Sequence, residues 1–204
     1  MTATVSEMET APQPGVRVRR ASAIWVLIAG AVGLAAALAL TIEKIELLID
    51  PAYVPSCSIN PVLSCGSVMI TEQASAFGFP NSLIGIVSFA VVLVTGVLAV
   101  AGVTLPRWYW SGLAVGTLLG TVFVHWLIFQ SLYRIQALCP YCMIVWTVTI
   151  PLLAVVSSVA LQPLANNAVV RTVYQWRWSL VAVWFTGLVM LILAQFWDYW
   201  STLI

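Results

Sequence analysis

Charged side chains are scarce in this sequence: only 7% of its 204 residues are Asp, Glu, Lys or Arg. A soluble domain usually carries about 25%, because its surface has to be solvated by water. Hydrophobic residues make up 62% of the chain, and the formal net charge is +1. This composition excludes a soluble enzyme and a disordered chain, and it leaves no basic surface for nucleic acid. The sequence therefore predicts an integral membrane protein.

Charges are absent from five long segments of the chain. Each segment can hold a helix of about 20 residues, the length that crosses a hydrocarbon layer of about 30 Å. None shows the two-residue alternation of a membrane barrel, and lipid requires every backbone group to be hydrogen-bonded, so we expect helices. The predicted fold is an all-α integral membrane protein with five spans, at residues 23–43, 81–103, 108–130, 140–161 and 178–198.

The chain shows no internal repeat and no second globular domain outside these spans. Residues 1–22 are predicted to be a disordered cytoplasmic lead, and residues 23–204 a single transmembrane domain. Its longest non-spanning segment is an outer loop and lid at residues 44–80. A cleaved signal peptide at Ala21–Leu40 is a weaker alternative, because this apolar run exceeds the usual length of about 7–15 residues.

Basic residues predict how the chain is oriented. With the N-terminus in the cytoplasm, six arginines fall inside, while Lys44 and Arg134 fall outside. This distribution agrees with the positive-inside rule. We therefore expect a multi-pass protein of the plasma (inner) membrane whose outer loop lies on the extracytoplasmic face. The six inner residues are Arg17, Arg19, Arg20, Arg107, Arg171 and Arg177.

The four cysteines all fall on the outer side of this topology. Cys57 and Cys65 lie in the outer loop, whereas Cys139 and Cys142 form a Cys-Pro-Tyr-Cys motif at the start of the fourth span. Disulfides persist in extracytoplasmic compartments. Residues three apart share one helix face, and the positive end of a helix favours the thiolate that attacks in disulfide exchange. The pattern indicates a redox-active centre.

Other roles for the cysteines fit the spacing less well. Zinc pairs are usually separated by about two to four residues, whereas seven residues separate Cys57 from Cys65, so no metal site is predicted. Haem attachment needs a His after the motif, where this chain has Met143. A static Cys57–Cys65 disulfide stays open as an alternative, and with it a non-catalytic membrane scaffold whose cysteines only staple loops.

The arrangement resembles the vitamin K epoxide reductase family, in its bacterial disulfide-forming branch. The resemblance covers about residues 23–161. It implies that four helices form a bundle around a quinone and that a half-helix, Ser67–Phe79, lies over the bundle as an extracytoplasmic lid. The segments that carry it are Cys57-x7-Cys65, Cys65-Gly-Ser-Val-Met-Ile-Thr71, Phe77-Gly-Phe-Pro-Asn-Ser-Leu-Ile-Gly85 and Cys139-Pro-Tyr-Cys142.

The resemblance also implies an enzyme, a quinone-dependent protein-dithiol oxidoreductase that reoxidises a secreted thioredoxin-like (DsbA-like) protein for disulfide bond formation. Electrons are expected to enter at Cys57, to pass from Cys65 to Cys139, and to leave from Cys142. The acceptor is the membrane pool of menaquinone or ubiquinone. The roles of the two loop cysteines are interchangeable at this point.

Two features distinguish this chain from some proteins of similar chemistry. Many bacterial relatives carry a fused thioredoxin-like domain, whereas this sequence stops at Ile204, so a separate partner is expected. A fifth span and the Phe-Gly segment disfavour an unrelated four-span disulfide oxidase. Reduction of vitamin K quinone or its epoxide is an alternative function, since it uses the same redox cycle.

Four residues are expected near the quinone. Asn81 matches a family position where an amide hydrogen-bonds a quinone carbonyl, with a helix N-cap as its equal alternative. Trp146 lies one turn after Cys142 and offers an indole N–H, although packing is slightly favoured. Thr71 keeps the hydroxyl of the serine that many relatives have, and Phe77 belongs to the Phe-Gly segment of the lid.

Several other polar positions lie near the predicted centre. His125, the sole histidine, lies inside the third span, where an ionisable residue is a functional candidate, but a buried hydrogen bond across helices is favoured. Arg134 and Gln136 lie beside Cys-Pro-Tyr-Cys, and interfacial snorkelling is favoured for them over stabilisation of a negative charge. Gln73 and Ala74 replace the Trp-Gly common in the family's lid, which leaves its packing open.

Overall fold

The computed structural model describes residues 15–162 and 167–202. A 3₁₀ turn at Glu72–Ser75 follows the second helix, and a π-helical segment at Gln130–Ile135 extends the fourth. The described residues contain isolated β-bridges but no β-strand. The helices are α1 (Arg20–Ile49), α2 (Cys65–Met69), α3 (Asn81–Val100), α4 (Arg107–Phe129), α5 (Pro140–Ala160), α6 (Ala168–Gln195) and α7 (Trp197–Ser201).

Five of these helices are long and apolar enough to cross a membrane: α1, α3, α4 with its π-helical extension, α5 and α6. The prediction of an all-α membrane fold with five spans is confirmed. The bounds differ most in α1, which continues to Ile49, and in α6, which begins at Ala168. The predicted spans stopped near charged residues, but a helix can continue into water beyond the roughly 30 Å hydrocarbon layer.

Four helices form the bundle, with α1 against α3 and α5, and α4 against α5. The α1–α3 contact is close because a side chain at Gly30 would overlap the backbone of Leu93, and one at Gly96 would overlap Leu27. Small residues allow membrane helices to approach at this distance. The fifth span, α6, contacts α5 from outside and buries none of its own residues.

The N-terminal segment is ordered earlier than predicted. The N–H of Val16 donates to the carbonyl of Leu105 (2.9 Å), and α1 begins at Arg20. The prediction that disorder extends to residue 22 is therefore wrong for residues 15–22, because this segment pairs with the α3–α4 connection. The remainder of the predicted lead, residues 1–14, lies outside the described residues.

The lid segment, Ser67–Phe79, is folded as two short pieces rather than as one continuous half-helix. The end of α2 and the 3₁₀ turn are joined through Ile70 and Thr71. Within the lid, Val68 and Met69 are buried, whereas Phe77 is exposed at the surface of the protein. The lid thus turns some apolar side chains to the bundle and others to the surroundings, as an interfacial segment does.

Candidate redox site

The loop that carries the first two cysteines is closed by a disulfide. Cys57 and Cys65 are bonded, with their Cα atoms 5.5 Å apart, and both are buried. Between them, the side-chain oxygen of Asn60 accepts from the N–H groups of Val62 and Leu63 at 3.0 and 2.7 Å. Such Asx turns reverse a chain without regular secondary structure.

A short β-bridge aligns this loop with the second cysteine pair. The N–H of Leu138 donates to the carbonyl of Val62 (2.7 Å), and the N–H of Ser64 donates to the carbonyl of Leu138 (3.0 Å). These bonds fix the residues directly before Cys65 and Cys139. The Sγ atoms of those two cysteines consequently lie 3.1 Å apart.

The Cys-Pro-Tyr-Cys motif begins α5. Cys139 is the N-cap residue and Pro140 occupies the first turn, where a missing N–H costs no hydrogen bond. Cys139 is buried and Cys142 is partly buried, and both are free thiols. Before the motif, the π-helical segment is capped at its C-terminal end by Gln136, whose φ is 57°. This left-handed residue turns the chain out of α4 and directs Leu138 towards the loop.

The surroundings of Cys139 favour its thiolate. A hydrogen bond from the Cys142 thiol lowers the pKa of the Cys139 thiol, while burial raises it; the N–H groups of Cys142 and Tyr141 lower it further, and the Glu43 carboxylate raises it. The net direction is downward from the ordinary value. Because exchange proceeds through the thiolate, Cys139 stays reactive at a lower pH than an ordinary thiol does.

This pKa shift predicts a difference between two variants in which Cys139 is the only thiol. In a Cys57→Ser/Cys65→Ser background, Cys142→Ser keeps a hydroxyl donor to the Cys139 sulfur, whereas Cys142→Ala removes it. We expect the ultraviolet absorbance of the Cys139 thiolate to appear at lower pH in the serine variant. Coincident titration curves would show that residue 142 does not stabilise the thiolate.

Two neighbouring residues near the C-terminal end of α1 hold the loop and α2. The buried carboxylate of Glu43 accepts hydrogen bonds from the hydroxyl of Tyr53 (2.9 Å) and from the N–H (3.2 Å) and hydroxyl of Ser56. The ammonium group of Lys44 donates to the carbonyl of Met69 at the end of α2 (2.7 Å). The two segments that flank the disulfide are therefore attached to one turn of α1.

A cavity of about 590 Å³ lies inside the bundle. Cys142, Trp146 and Asn81 are among its lining residues, whereas Cys139 is not. One wall is a row of glycines on α4, and a Cβ added at any of them would meet no atom within 4 Å. The glycines are Gly112, Gly116 and Gly120.

The side chain of Asn81 connects the lid to α3. Its amide nitrogen donates to the carbonyl of Gln73 (2.7 Å), and its oxygen accepts from the N–H of Ala76 (3.1 Å). Asn81 is the first residue of α3, and Pro80 occupies the cap position. The amide thus anchors the lid instead of capping the helix, and its bond to Gln73 uses one of its two N–H groups.

The other two residues predicted near the quinone lie away from the cavity wall. The hydroxyl of Thr71 donates to the carbonyl of Val68 (2.7 Å) within the lid. The ring of Phe77 lies 5.5 Å from that of Phe123, which is itself a lining residue. Phe77 therefore packs against a residue of the cavity wall without lining the cavity itself. Thr71 instead forms a hydrogen bond at the end of α2.

His125 connects the third and fifth spans. Its Nδ1 bonds to the carbonyl of Thr121 (2.8 Å), and its Nε2 accepts from the indole N–H of Trp184 (2.8 Å). The side chain is hydrogen-bonded across helices, as expected, but it is exposed at the surface of the protein rather than buried. It does not line the cavity beside Cys142.

Sequence reasoning missed the Glu43–Ser56 contact and the glycine row on α4. The glycines repeat every four residues, so their spacing alone places them on one helix face. Glu43 also stands out in the sequence as an acidic residue at the end of an apolar run, but nothing in the sequence identifies Ser56, thirteen positions later, as its hydrogen-bond partner. The described residues contain no group of three His, Cys, Asp or Glu side chains arranged to hold a metal.

Comparison with known families gives one match. The model of the Vitamin K epoxide reductase family matches residues 24–157, more than half of the chain, and this stretch includes all four cysteines and every cavity-lining residue named above. Among curated proteins, none matches the chain significantly.

Proposed function

The chain belongs to the vitamin K epoxide reductase family and is a membrane oxidoreductase, and we propose that its substrate is a dithiol on a secreted thioredoxin-like protein. The electrons pass on to a membrane quinone. One observation carries the proposal: the Cys65 sulfur lies 3.1 Å from that of Cys139, and Cys142 of the same motif lines the cavity. Sulfur atoms at contact distance can exchange disulfides.

In this proposal, electrons enter the protein at the Cys57–Cys65 pair of the loop. A thiolate of the partner attacks the Cys57–Cys65 disulfide, and the second partner thiol completes the exchange, which leaves the partner oxidised and both loop thiols reduced. Cys57 is the favoured point of attack because the exposed apolar side chains of Val54 and Ile59 flank it. Exposed apolar patches of this kind are typical of protein-binding surfaces.

Transfer inside the protein follows from the sulfur contact. The Cys65 thiolate attacks Cys139 of an oxidised Cys139–Cys142 pair, one S–S bond forms while another breaks, and Cys142 leaves as a thiolate. Cys57 then attacks Cys65 and releases Cys139. The loop disulfide with two free thiols in the motif, as seen in the structure, is the product of this exchange.

The cavity has the size and the lining that a quinone requires. Its volume of about 590 Å³ falls within the range of about 300–1,000 Å³ for small-molecule sites. A bound quinone supplies a two-electron, two-proton acceptor next to Cys142. The glycine row leaves room for a flat ring, and the remaining N–H of Asn81 and the indole of Trp146 are the groups proposed to orient its carbonyls.

A scaffold whose disulfide only staples a loop would not explain the positions of Cys139 and Cys142. It does not require a third sulfur in contact with the bridge, nor a free thiol on the wall of a cavity between the helices. We also propose that the cysteine end of the bundle faces the extracytoplasmic side. The basic residues support this orientation, since Arg17, Arg107 and Arg171 lie at the opposite end of the spans.

The test is an assay in which reduced thioredoxin is the only electron donor. The purified protein in lipid vesicles should oxidise thioredoxin over multiple turnovers only when menadione or a short-chain ubiquinone is present, with one quinone reduced per dithiol. Absence of quinone-dependent oxidation would overturn the proposal. Reduction of vitamin K epoxide with a small dithiol, but no reaction with thioredoxin, would favour the alternative reductase function.

A matched pair of glycine variants tests the cavity in the same assay. Gly116→Leu places a side chain in the cavity, where a Cβ meets nothing within 4 Å. A leucine and a quinone together would overfill the cavity, and overfilling costs about 1–3 kcal/mol, so kcat/KM for quinone should fall by about 5- to 150-fold. Gly187→Leu is the control, because Gly187 lies on α6 in similarly open space and does not line the cavity.

An unchanged kcat/KM in Gly116→Leu would place the quinone elsewhere. An equal loss in both glycine variants would instead point to a general effect of adding a leucine to a membrane helix. Single-turnover reduction of the Cys57–Cys65 disulfide by thioredoxin should be the same in both variants, since neither glycine lies near the loop.

A further inference from the structure

Glu43 is a buried carboxylate with no part in the electron path described above. It is only 8% exposed, and its two oxygens accept all three hydrogen bonds from Tyr53 and Ser56. A buried carboxylate costs free energy unless several donors satisfy it. Both donor residues belong to the loop before Cys57, so these bonds fix the start of the loop on α1.

The hydrogen bonds matter most when the loop disulfide is open. In the oxidised state the Cys57–Cys65 bond itself holds the two ends of the loop together. Once the partner has reduced it, Cys65 is still held by the bridge to Leu138 and by the Lys44 bond to the end of α2. Cys57 is held after the disulfide opens through its two neighbours: the hydroxyl of Ser58 accepts from the N–H of Gly66 (3.2 Å), and Ser56 is attached to Glu43.

We propose that Glu43 is a positioning residue that holds Cys57 within reach of Cys65 while the loop disulfide is open. This inference rests on the proposed electron path. The step that it serves is resolution of the Cys65–Cys139 intermediate. The Cys57 thiol gives its proton to water and attacks Cys65, the Cys57–Cys65 bond forms, the Cys65–Cys139 bond breaks, and Cys139 leaves as a thiolate.

Glu43 acts on this step through Ser56 and not through direct contact with the sulfurs. Misplacement of a reacting group by about 1 Å can cost about 10²-fold in rate. In Glu43→Ala the Ser56 anchor is lost, so Cys57 should spend less time at Cys65 and the intermediate should live longer. Glu43→Gln retains an oxygen that accepts from Tyr53 and the Ser56 N–H, and an amide that donates to the Ser56 hydroxyl.

The experiment measures two rates and one intermediate in full-length protein in vesicles. With reduced thioredoxin as the donor and menadione as the acceptor, Glu43→Ala should be slower by up to about 10²-fold. The fraction of protein trapped as the Cys65–Cys139 disulfide, measured by mass spectrometry after acid quench and alkylation, should rise from a minor to a major species. Glu43→Gln should restore most of both values.

A second arm separates positioning from folding and from the proposed function. In a Cys57→Ser/Cys65→Ser background, dithiothreitol reduces the Cys139–Cys142 pair directly, and Glu43→Ala should change menadione reduction by less than about twofold, because the loop is bypassed. Equal losses in both arms, or no rise of the intermediate, would overturn the positioning role. Absence of menadione reduction in the parent protein in either arm would instead overturn the proposed function.

Discussion

Cys142→Ser is expected to abolish steady-state quinone reduction by the purified protein. Cys142 is the cysteine of the motif that lines the cavity, whereas Cys139 is buried beside the loop disulfide. A serine hydroxyl has nearly the same size but cannot form a disulfide or deliver electrons as a thiolate does. The rate should therefore fall to that of the mixture without protein, measured by quinone absorbance with reduced thioredoxin as the donor.

The same variant should retain the first half of the cycle. The Cys57–Cys65 disulfide is untouched, so one equivalent of reduced thioredoxin should still be oxidised per protein in a single turnover. This result separates a chemical defect from misfolding, since a misfolded protein would lose both. Continued multiple turnover in Cys142→Ser would show that electrons leave the protein through another group.

The five spans could be predicted from the sequence because membrane helices leave a strong and local signal. Long apolar runs without charge correspond to α1, α3, α4, α5 and α6. The predicted bounds of the helices were less accurate because a helix does not have to end where the chain leaves the membrane. A helix such as α6 continues from lipid into water as long as its backbone hydrogen bonds are kept.

The positions of the cysteines were predictable, but their contacts were not. The topology placed all four at one end of the bundle, whereas the 3.1 Å contact between Cys65 and Cys139 depends on the Leu63–Leu138 bridge. The chain reaches that bridge through a left-handed Gln136, a conformation uncommon outside glycine. Pairings between distant segments leave no periodic pattern in a sequence, so only the fold shows them.

Among the residues predicted to contact the quinone, positions set by spacing along one helix were predictable, whereas contacts between distant segments were not. Trp146 follows Cys142 by one turn of α5, so helix geometry was sufficient to place both on one face, which forms part of the cavity wall. The side chain of Asn81 instead bonds Gln73 and Ala76 in the lid, which no spacing rule predicts. Its contact with quinone, like those of Thr71 and Phe77, stays a prediction.

Cys57→Ala is expected to trap the protein with a disulfide between Cys65 and Cys139. In this variant the Cys65 thiolate still attacks the oxidised Cys139–Cys142 pair, because its sulfur lies in contact with that of Cys139. The thiol that would resolve the product is missing, so the intermediate should become the major species. Peptide mass spectrometry after acid quench and alkylation should detect it, with Cys142 carrying the alkyl group.

The reciprocal variant decides which loop cysteine faces the partner. In Cys65→Ala, the bridge that aligns the loop still ends at Leu138, but the sulfur beside Cys139 is absent, so little Cys139 linkage should form. When oxidised thioredoxin is added, the Cys57 thiolate should instead attack its disulfide, so that a mixed disulfide forms while the thioredoxin S–S bond breaks and one thioredoxin sulfur leaves as a thiolate. A stable Cys57–Cys139 disulfide in this variant would reverse the two roles, and only Cys139–Cys142 disulfide in both variants would exclude transfer through the loop pair.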